Sequence, residues 1–326
     1  MRPEAATPSV PSLTEDKIAR IKLHVRGHAG ADDRRAWAVL ASTALAQAAL
    51  VALYVAGWTV PATLLGSLLI VRVFILYHDA IHRSFFRRAR WNDRLATVLQ
   101  LWTLTPVKHW RGNHLAHHGR FGDLGFRDIA DTIFFTREQF EAMPRLQRAF
   151  LRVARTPVVF FPLLPLAQWL VEYPFLRGNA WIWAGAALHL LFILKVSAWH
   201  ALALYLGMLI GLVLFHLQHG IGRGYRAPSA SWRFEHAALL GSTWVRIPRP
   251  LRWFTLGIEF HHIHHLHPGV PCYALARCHA SAPAGLWDEV TVGTWRNSLA
   301  ALGQVMWDTE RGALSGWRRA PAGKKG

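Results

Sequence analysis

The sequence predicts an all-α integral membrane protein with four transmembrane helices, interfacial helices and a cytosolic cap that holds a histidine-rich metal site. Three observations support this fold class. Of the 326 residues, 52% are hydrophobic, and soluble domains rarely combine such a composition with a formal net charge of +18. The basic residues lie between apolar runs, as the flanks of membrane helices do. Histidines are concentrated in three tight clusters.

Four apolar runs approach the length of about 20 residues that spans a bilayer. They are joined in pairs by very short turns that are poor in charge, whereas arginines precede the first run and follow the second and the fourth. By the positive-inside rule, both termini and the large loop between the pairs then lie in the cytosol, together with all three histidine clusters. The predicted spans are residues 37–56, 60–77, 180–194 and 198–217.

This topology divides the chain into three segments. Residues 1–35 are a polar cytosolic segment without the apolar region of a cleavable signal peptide. Residues 36–311 form the membrane domain, and residues 312–326 are a basic tail that we expect to be disordered. Prolines and a glutamate interrupt the apolar stretch 157–175, which we therefore expect to lie in the membrane interface or to enter the membrane only partway. The charges form no groove-binding motif, which argues against a nucleic-acid-binding function.

The three histidine clusters, called the first, second and third boxes below, have helical spacing. Imidazoles at positions i, i+3 and i+4 share one face of a helix, with Cβ atoms about 5–6 Å apart. Each box can therefore present several ring nitrogens to one point, which is typical of a metal site. The boxes consist of His78 and His82, of His114, His117 and His118, and of His261, His264 and His265.

The number of these histidines favours two metal ions. Imidazole binds Fe, Zn, Cu and Ni, but zinc normally closes its coordination with four ligands. The eight box histidines exceed one zinc and suit two irons. His219, just beyond the fourth predicted span, is a ninth candidate, and for His216, one turn earlier, ligation and helix packing both stay open. His262 is displaced by about 100° from its neighbours if the segment is helical, so we expect it to pack or to support a ligand.

Carboxylates near the boxes are candidates to accept the second ring N–H of a ligating histidine. Cys272 and Cys278 form neither a disulfide framework nor a zinc-finger spacing, so we interpret both as reduced and structural. The candidate carboxylates are Asp79, Asp128, Asp131, Glu235 and Glu259.

The boxes stand in longer motifs between residues 72 and 279, most of the chain. These motifs are Arg72-Val73-Phe74-x3-His78-Asp79-x2-His82, Pro106-x3-Trp110-Arg111-x2-His114-x2-His117-His118, Gln218-His219 and Phe260-His261-His262-Ile263-His264-His265-Leu266-x-Pro268. In box order and spacing the sequence resembles the integral-membrane fatty acid desaturases. In detail it is most similar to bacterial acyl-lipid desaturases of the Δ12 type.

The resemblance implies an O2-dependent desaturase that introduces a cis double bond into a lipid-linked acyl chain. It implies two non-haem irons as the cofactor and an external, ferredoxin-like electron donor. It also implies a bacterial inner-membrane protein whose termini and metal site face the cytosol. By resemblance, the iron ligands are His78, His82, His114, His117, His118, His219, His261, His264 and His265.

The resemblance also leads us to expect a docking face for the electron donor and an apolar tunnel for the acyl chain. A basic cytosolic face that includes Arg87 and Arg88 would suit an acidic electron carrier. Aromatic residues near the boxes are candidates to line the acyl tunnel. These residues are Phe74, Trp102, Trp110, Trp244 and Phe254.

Two other functions stay open at this point. A hydroxylase or ketolase acting on an alkane, carotenoid or sphingoid lipid would use the same boxes and would add oxygen to its product. A metal transporter or sensor would need polar residues along a path through the bilayer. The predicted spans offer few such residues, chiefly Arg72, His189 and His200. The double-bond position, the acyl carrier and the oligomeric state do not follow from the residues.

Overall fold

The computed structural model describes residues 13–126, 134–175, 179–222 and 224–317. The chain is mostly helical, as predicted, and it also contains five short strands in its described part, which were not predicted. The helices are α1 (Glu15–Arg26), α2 (Asp33–Val55), α3 (Thr59–Ile81), α4 (Ala89–Thr103), α5 (Val107–Arg120), α6 (Arg137–Ala142), α7 (Arg145–Ala154), α8 (Pro157–Phe175), α9 (Ala180–Lys195), α10 (Trp199–Gly220), α11 (Phe234–Leu240), α12 (Arg252–Thr255), α13 (His261–Leu266), α14 (Cys272–Ala280) and α15 (Trp295–Ala301).

Three of the helices in the described part are long and apolar enough to cross a membrane. These are α2, α3 and α10, with 22 or 23 residues each. The predicted span 180–194 is the helix α9, whose 16 residues extend for about 24 Å, less than the roughly 30 Å of a hydrocarbon core. The helices α7 and α8 meet at an angle of 84° and add one more candidate if they are counted as one broken span.

The helix α3 is the centre of the membrane bundle, and small residues let its neighbours approach closely. A Cβ atom on Gly207 of α10 would lie 2.6 Å from Ile70 Cβ and 2.7 Å from the Ser67 carbonyl oxygen of α3. Such close approach of a neighbouring helix at a glycine is typical of packed membrane helices. Because α3 runs to Ile81 and α10 to Gly220, both extend past the predicted ends and include residues of the metal-site candidates.

The short strands join two segments, one after the second box and one before the third box, to the C-terminal region. They are β1 (Phe135–Thr136), β2 (Thr243–Val245), β3 (Thr291–Gly293), β4 (Met306–Asp308) and β5 (Ala313–Ser315). Parallel pairs form between β1 and β4 and between β2 and β3, and β4 and β5 are antiparallel. The beginning of the predicted disordered tail is therefore ordered, because β5 pairs with β4 through residues 313–315.

Candidate metal centre

The first box lies at the end of α3. His78 is in its last turn, and His82 is the residue that caps the helix. The two imidazoles are four positions apart and share a face, with ring centroids separated by 4.9 Å. Both rings also contact the ring of His114 at 4.6 and 4.8 Å. The first box is therefore directed at the second.

The second box lies on α5, a short helix whose only buried residues are its three box histidines. The Nε2 atom of His114 is 2.9 Å from that of His82 and 3.1 Å from that of His118. His117 faces a different direction from His118, because adjacent residues of a helix differ by about 100° around its axis. Its Nε2 is 3.2 Å from the Nε2 of His219.

The third box forms the six-residue helix α13, which is buried throughout. A sharp turn at Gly257 precedes it. This glycine has φ of +87°, and a Cβ there would lie 2.9 Å from the Cys272 carbonyl oxygen. Its position therefore favours glycine. The Nε2 of His264 is 3.1 Å from that of His118, and the Nε2 of His261 is 3.0 Å from that of His219.

Together the boxes form two adjoining groups of ring nitrogens. The ligand atoms within each group all lie within 4.8 Å of one another. His261 joins the second group through His219, and the rings of His118 and His265 stack between the groups with centroids 4.1 Å apart. The first group is His78, His82, His114, His118 and His264, and the second is His117, His219 and His265.

The nitrogen spacing fits metal ions better than hydrogen bonds. Ligands about 2.0–2.1 Å from one ion, at tetrahedral or octahedral angles, are separated by roughly 2.9–3.3 Å. The contacts along His82, His114, His118 and His264 are 2.9, 3.1 and 3.1 Å. Each ring nitrogen either carries one proton or presents one lone pair, so hydrogen bonds complete at most two of these three contacts. A cation between the nitrogens satisfies all of them.

The protonation state of the box histidines also favours metal binding. Burial, followed by the neighbouring imidazoles, holds the pKa values of His114, His118, His264 and His265 well below the ordinary histidine value. Burial also lowers the pKa of His82 to about 3, with Arg111 as the next cause. These rings are therefore neutral near pH 7, and neutral imidazole is the form that binds a metal ion.

His219 is oriented by a backbone group. Its Nδ1 is 3.2 Å from the carbonyl oxygen of Gly241, and a carbonyl only accepts. Nδ1 therefore carries the proton, and Nε2 presents its lone pair to His117 and His261. The Phe121 ring packs on the imidazole with centroids 4.1 Å apart. Sequence analysis missed Gly241 and Phe121, and a carbonyl acceptor leaves no signature in side-chain patterns.

The carboxylates expected to support the ligands bind elsewhere. Asp79 Oδ2 accepts the backbone N–H of Cys272 at 2.9 Å, so it stabilises the start of α14. Glu259 Oε2 accepts from the hydroxyl of Thr255 at 2.6 Å. Glu235 forms an ion pair with Lys22 at 2.8 Å. In the part of the chain that the structure describes, no box histidine donates to one of these three carboxylates. Asp128 and Asp131 lie outside the described residues.

The two histidines with open roles are both buried and point away from the ring nitrogens of the boxes. The Nε2 of His216 is 3.0 Å from the Ala301 carbonyl oxygen, and its ring lies against Phe161. The ring of His262 contacts Trp287 and His279, with centroids 4.9 and 5.5 Å away. Both therefore make packing contacts.

Two of the five tunnel candidates adjoin the boxes. Trp110 stacks on His114 with ring centroids 4.2 Å apart and an interplanar angle of 14°, and Phe74 packs against Trp110 at 5.5 Å. The other three have different contacts: Trp102 packs on His189, Trp244 packs on His279 and Phe260, and Phe254 packs on Trp253.

Comparison with known proteins identifies the class to which this fold and site belong. A model of the fatty acid desaturase family matches residues 55–288, more than half of the chain. The chain belongs to the fatty acid desaturase family. It is therefore an oxidoreductase, the predicted family is confirmed, and the interpretation as a metal transporter or sensor is wrong.

Three individual relatives are between 24% and 29% identical to this chain. A fatty acid desaturase of Bacillus subtilis (strain 168) is 29% identical over 272 residues, which cover 77% of this chain and 75% of the relative. The sn-1 oleoyl-lipid 12-desaturase of Synechocystis is 25% identical over 268 residues, covering 76% and 75%. The chloroplastic omega-6 fatty acid desaturase of Arabidopsis thaliana is 24% identical over 244 residues, covering 68% of this chain and 52% of the relative.

Proposed function

We propose that this chain is an O2-dependent acyl-lipid desaturase that introduces a cis double bond at a di-iron centre held by its histidine boxes. The observation that supports this most directly is the convergence of buried imidazoles on two adjoining points, with nitrogen separations of 2.9–3.2 Å. The name of the Synechocystis relative supports a lipid-linked oleoyl chain as the substrate class.

The donor set fits iron in particular. The first group offers five imidazoles, one more than a closed zinc site uses. Non-haem iron uses imidazole ligands and leaves open positions for O2. We assign His78, His82, His114, His118 and His264 to one iron and His117, His219, His261 and His265 to the other.

When bound, the two irons would supply O2 activation: two hydrogens would leave neighbouring methylenes, and O2 would become two water molecules with two added electrons and two protons. The chain's own residues contribute water exclusion, ligand orientation and an apolar surface for the substrate. The buried boxes exclude bulk water, and the Gly241 carbonyl fixes the tautomer of His219. Phe74 and Trp110 offer an apolar surface beside the first group, where the acyl chain would lie.

The arrangement supports one membrane orientation. The C-terminal ends of α3 and α10 both lie at the boxes, because His82 caps α3 and His219 is in the last turn of α10. Both helices therefore end on one membrane side, and by the positive-inside rule we propose that this is the cytosolic side of a bacterial inner membrane. We further propose four spans, with both termini cytosolic, and a membrane domain at residues 36–311.

The electron donor would bind the basic cytosolic face. Arg87 is less available there than the sequence suggests, because its backbone N–H donates to Asp33 and its Nε donates to the Ala31 carbonyl oxygen. Arg88 is exposed. We expect Arg88→Glu to slow reduction by an acidic ferredoxin and to weaken the salt dependence of the rate. An unchanged rate and salt dependence would contradict this docking face.

Expression in a bacterial host tests the whole proposal. Lipids of cells that produce the wild type, His264→Ala or His262→Ala are compared by gas chromatography with mass spectrometry, and iron is measured in each purified protein. His262→Ala is the matched control, because it removes a buried imidazole of the same helix that faces Trp287.

We expect a new unsaturated acyl chain and bound iron with the wild type and with the control, and neither with His264→Ala. His118→Ala should behave as His264→Ala does. Full activity in either variant would remove that residue from the ligand set. Oxygenated lipids without new double bonds, in cells that also produce a compatible donor, would support a hydroxylase or ketolase instead.

A further inference from the structure

Arg155 is a buried cation for which the described part of the chain supplies no anion. It follows α7 and stands two residues before α8, and only 8% of its surface is exposed. Its guanidinium carbon lies 4.2 Å from the centroid of the Phe160 ring, while Nε and Nη2 are buried without a hydrogen-bond partner. A buried charge without a partner is costly, so this group indicates an anionic ligand from outside the chain.

The helix before Arg155 has the composition of one that lies on a lipid surface. Leu146, Phe150 and Val153 are spaced by four and three residues, form one face of α7 and are 84%, 68% and 65% exposed. The opposite face is basic. No residue of α7 is buried, so both faces of the helix are exposed to solvent or lipid. A helix with exposed apolar residues on one side and arginines on the other lies in the membrane interface.

The bend between the two helices places Arg155 at the level of lipid headgroups. The axes of α7 and α8 differ by 84°. If α8 enters the apolar layer, α7 runs along its surface, and the corner between them lies where phosphates are found. The N-terminal end of α8 adds the positive end of a 19-residue helix dipole to the same corner. Three independent features therefore favour a phosphate there.

The same corner adjoins the metal centre. Phe161 in the first turns of α8 packs against His216 of α10, with ring centroids 5.1 Å apart. Arg155 lies over the Phe160 ring, whose centroid is 5.2 Å from that of Phe161. His216 precedes His219 by three residues, or about 4.5 Å along the helix. A lipid whose phosphate is at Arg155 would thus have its acyl chain beside the helix that contributes a proposed iron ligand.

We propose that Arg155 binds the phosphodiester of a membrane phospholipid and thereby selects phospholipid-linked acyl chains for the centre. The proposal rests on the desaturase function proposed above and names the acyl carrier. Guanidinium groups bind phosphate oxygens through paired, charge-assisted hydrogen bonds, and the two free nitrogens of Arg155 are suited to this geometry.

The test compares lipid binding by the full chain with its metal bound. Native mass spectrometry measures retention of phosphatidylglycerol with two oleoyl chains and of monogalactosyldiacylglycerol with the same chains, which lacks phosphate. Inorganic phosphate and oleoyl-coenzyme A are added as competitors. The variants are Arg155→Gln, Arg155→Lys and Arg145→Gln. Arg145→Gln is the matched control, because it removes the same charge from an exposed position of α7.

We expect the wild type to retain phosphatidylglycerol over the galactolipid, and Arg155→Gln to weaken that retention roughly tenfold to a hundredfold. Arg155→Lys should keep part of it, and Arg145→Gln should match the wild type. Equal retention by the wild type and Arg155→Gln would overturn the proposal, as would equal retention of the two lipids. Displacement of the phospholipid by low concentrations of free phosphate or oleoyl-coenzyme A would overturn the assigned source.

A second measurement separates this proposal from the desaturase function. The unfolding temperature and the iron content of Arg155→Gln should equal those of the wild type. In reconstituted membranes, Arg155→Gln should lose desaturation of phospholipid chains and keep that of galactolipid chains. A wild type that desaturates neither lipid would contradict the proposed function, while the binding measurement would still decide the role of Arg155.

Discussion

Gly241→Ala tests whether a backbone carbonyl holds one of the proposed iron ligands. Gly241 has φ of −88°, which alanine adopts without strain, so the effect of the change is steric. An added Cβ would lie 2.5 Å from the Ala237 carbonyl oxygen and 2.8 Å from Cε1 of Phe121. Both contacts are too short to persist. The carbonyl that accepts from His219 and the ring that packs on this imidazole must then shift.

The expected magnitude follows from these two displacements. Forcing an extra methyl group into a packed site costs about 1–3 kcal/mol in unfolding free energy. Loss of the group that orients a ligating histidine typically weakens metal binding about 10- to 100-fold, or about 1.4–2.7 kcal/mol. We therefore expect Gly241→Ala to lower both the unfolding temperature and the metal affinity, with the effect on affinity limited to the second group.

The assay is metal titration of the purified chain, followed by cobalt absorption, together with thermal unfolding. Gly211→Ala is the matched control, because Gly211 lies on the same helix as His219 and a Cβ there would meet nothing within 4 Å. The control should bind metal as the wild type does and gain roughly 0.5–1 kcal/mol from helix propensity. Unchanged metal affinity in Gly241→Ala would refute the carbonyl's role in orienting His219.

Three further predictions concern groups around the site. Burial raises the pKa of Glu259. The stabilising contribution of this carboxyl group is therefore complete below the ordinary glutamate pKa and is lost as pH rises through the raised value. Glu259→Gln should flatten the dependence of unfolding temperature on pH. Arg72, 1% exposed, lies over the Trp253 ring and donates to its carbonyl, so Arg72→Leu should cost about 1–3 kcal/mol of unfolding free energy, and a smaller loss would contradict this contact. Cys272 and Cys278 are buried, and burial raises the pKa of Cys278 to about 12; neither should react with maleimide at about pH 8 until the chain is denatured, and fast labelling of the folded protein would refute their burial.

Sequence patterns predicted the elements of this protein well where the signal is local. The apolar runs are helices close to their predicted positions, because continuous hydrophobicity over about 20 residues has few other structural outcomes. The paired histidines fall on helices, and the family was identified from box spacing. The 16-residue helix α9 shows the limit, because an apolar run predicts a helix more securely than it predicts a membrane crossing.

Contacts between distant segments could not be predicted in this way. Asp79 was a candidate to accept the ring N–H of a ligating histidine, but its carboxylate accepts the backbone N–H of Cys272, which is 193 positions later. His219 was predicted as a ligand candidate with no assigned partner, and its Nδ1 lies 3.2 Å from the carbonyl oxygen of Gly241. A backbone N–H or carbonyl is present at nearly every position, so only the packing of the helices determines which one a side chain meets.

The sequence by itself determined that helices of this chain present imidazoles in clusters, because the spacing of three and four residues places them on one face. The tertiary structure decided how those imidazoles divide between two groups. His117 and His118 are neighbours in sequence, yet they face His219 and His264 respectively. A helix turns by about 100° per residue, so adjacent side chains diverge, and only the positions of α3, α10 and α13 determine which group each one joins.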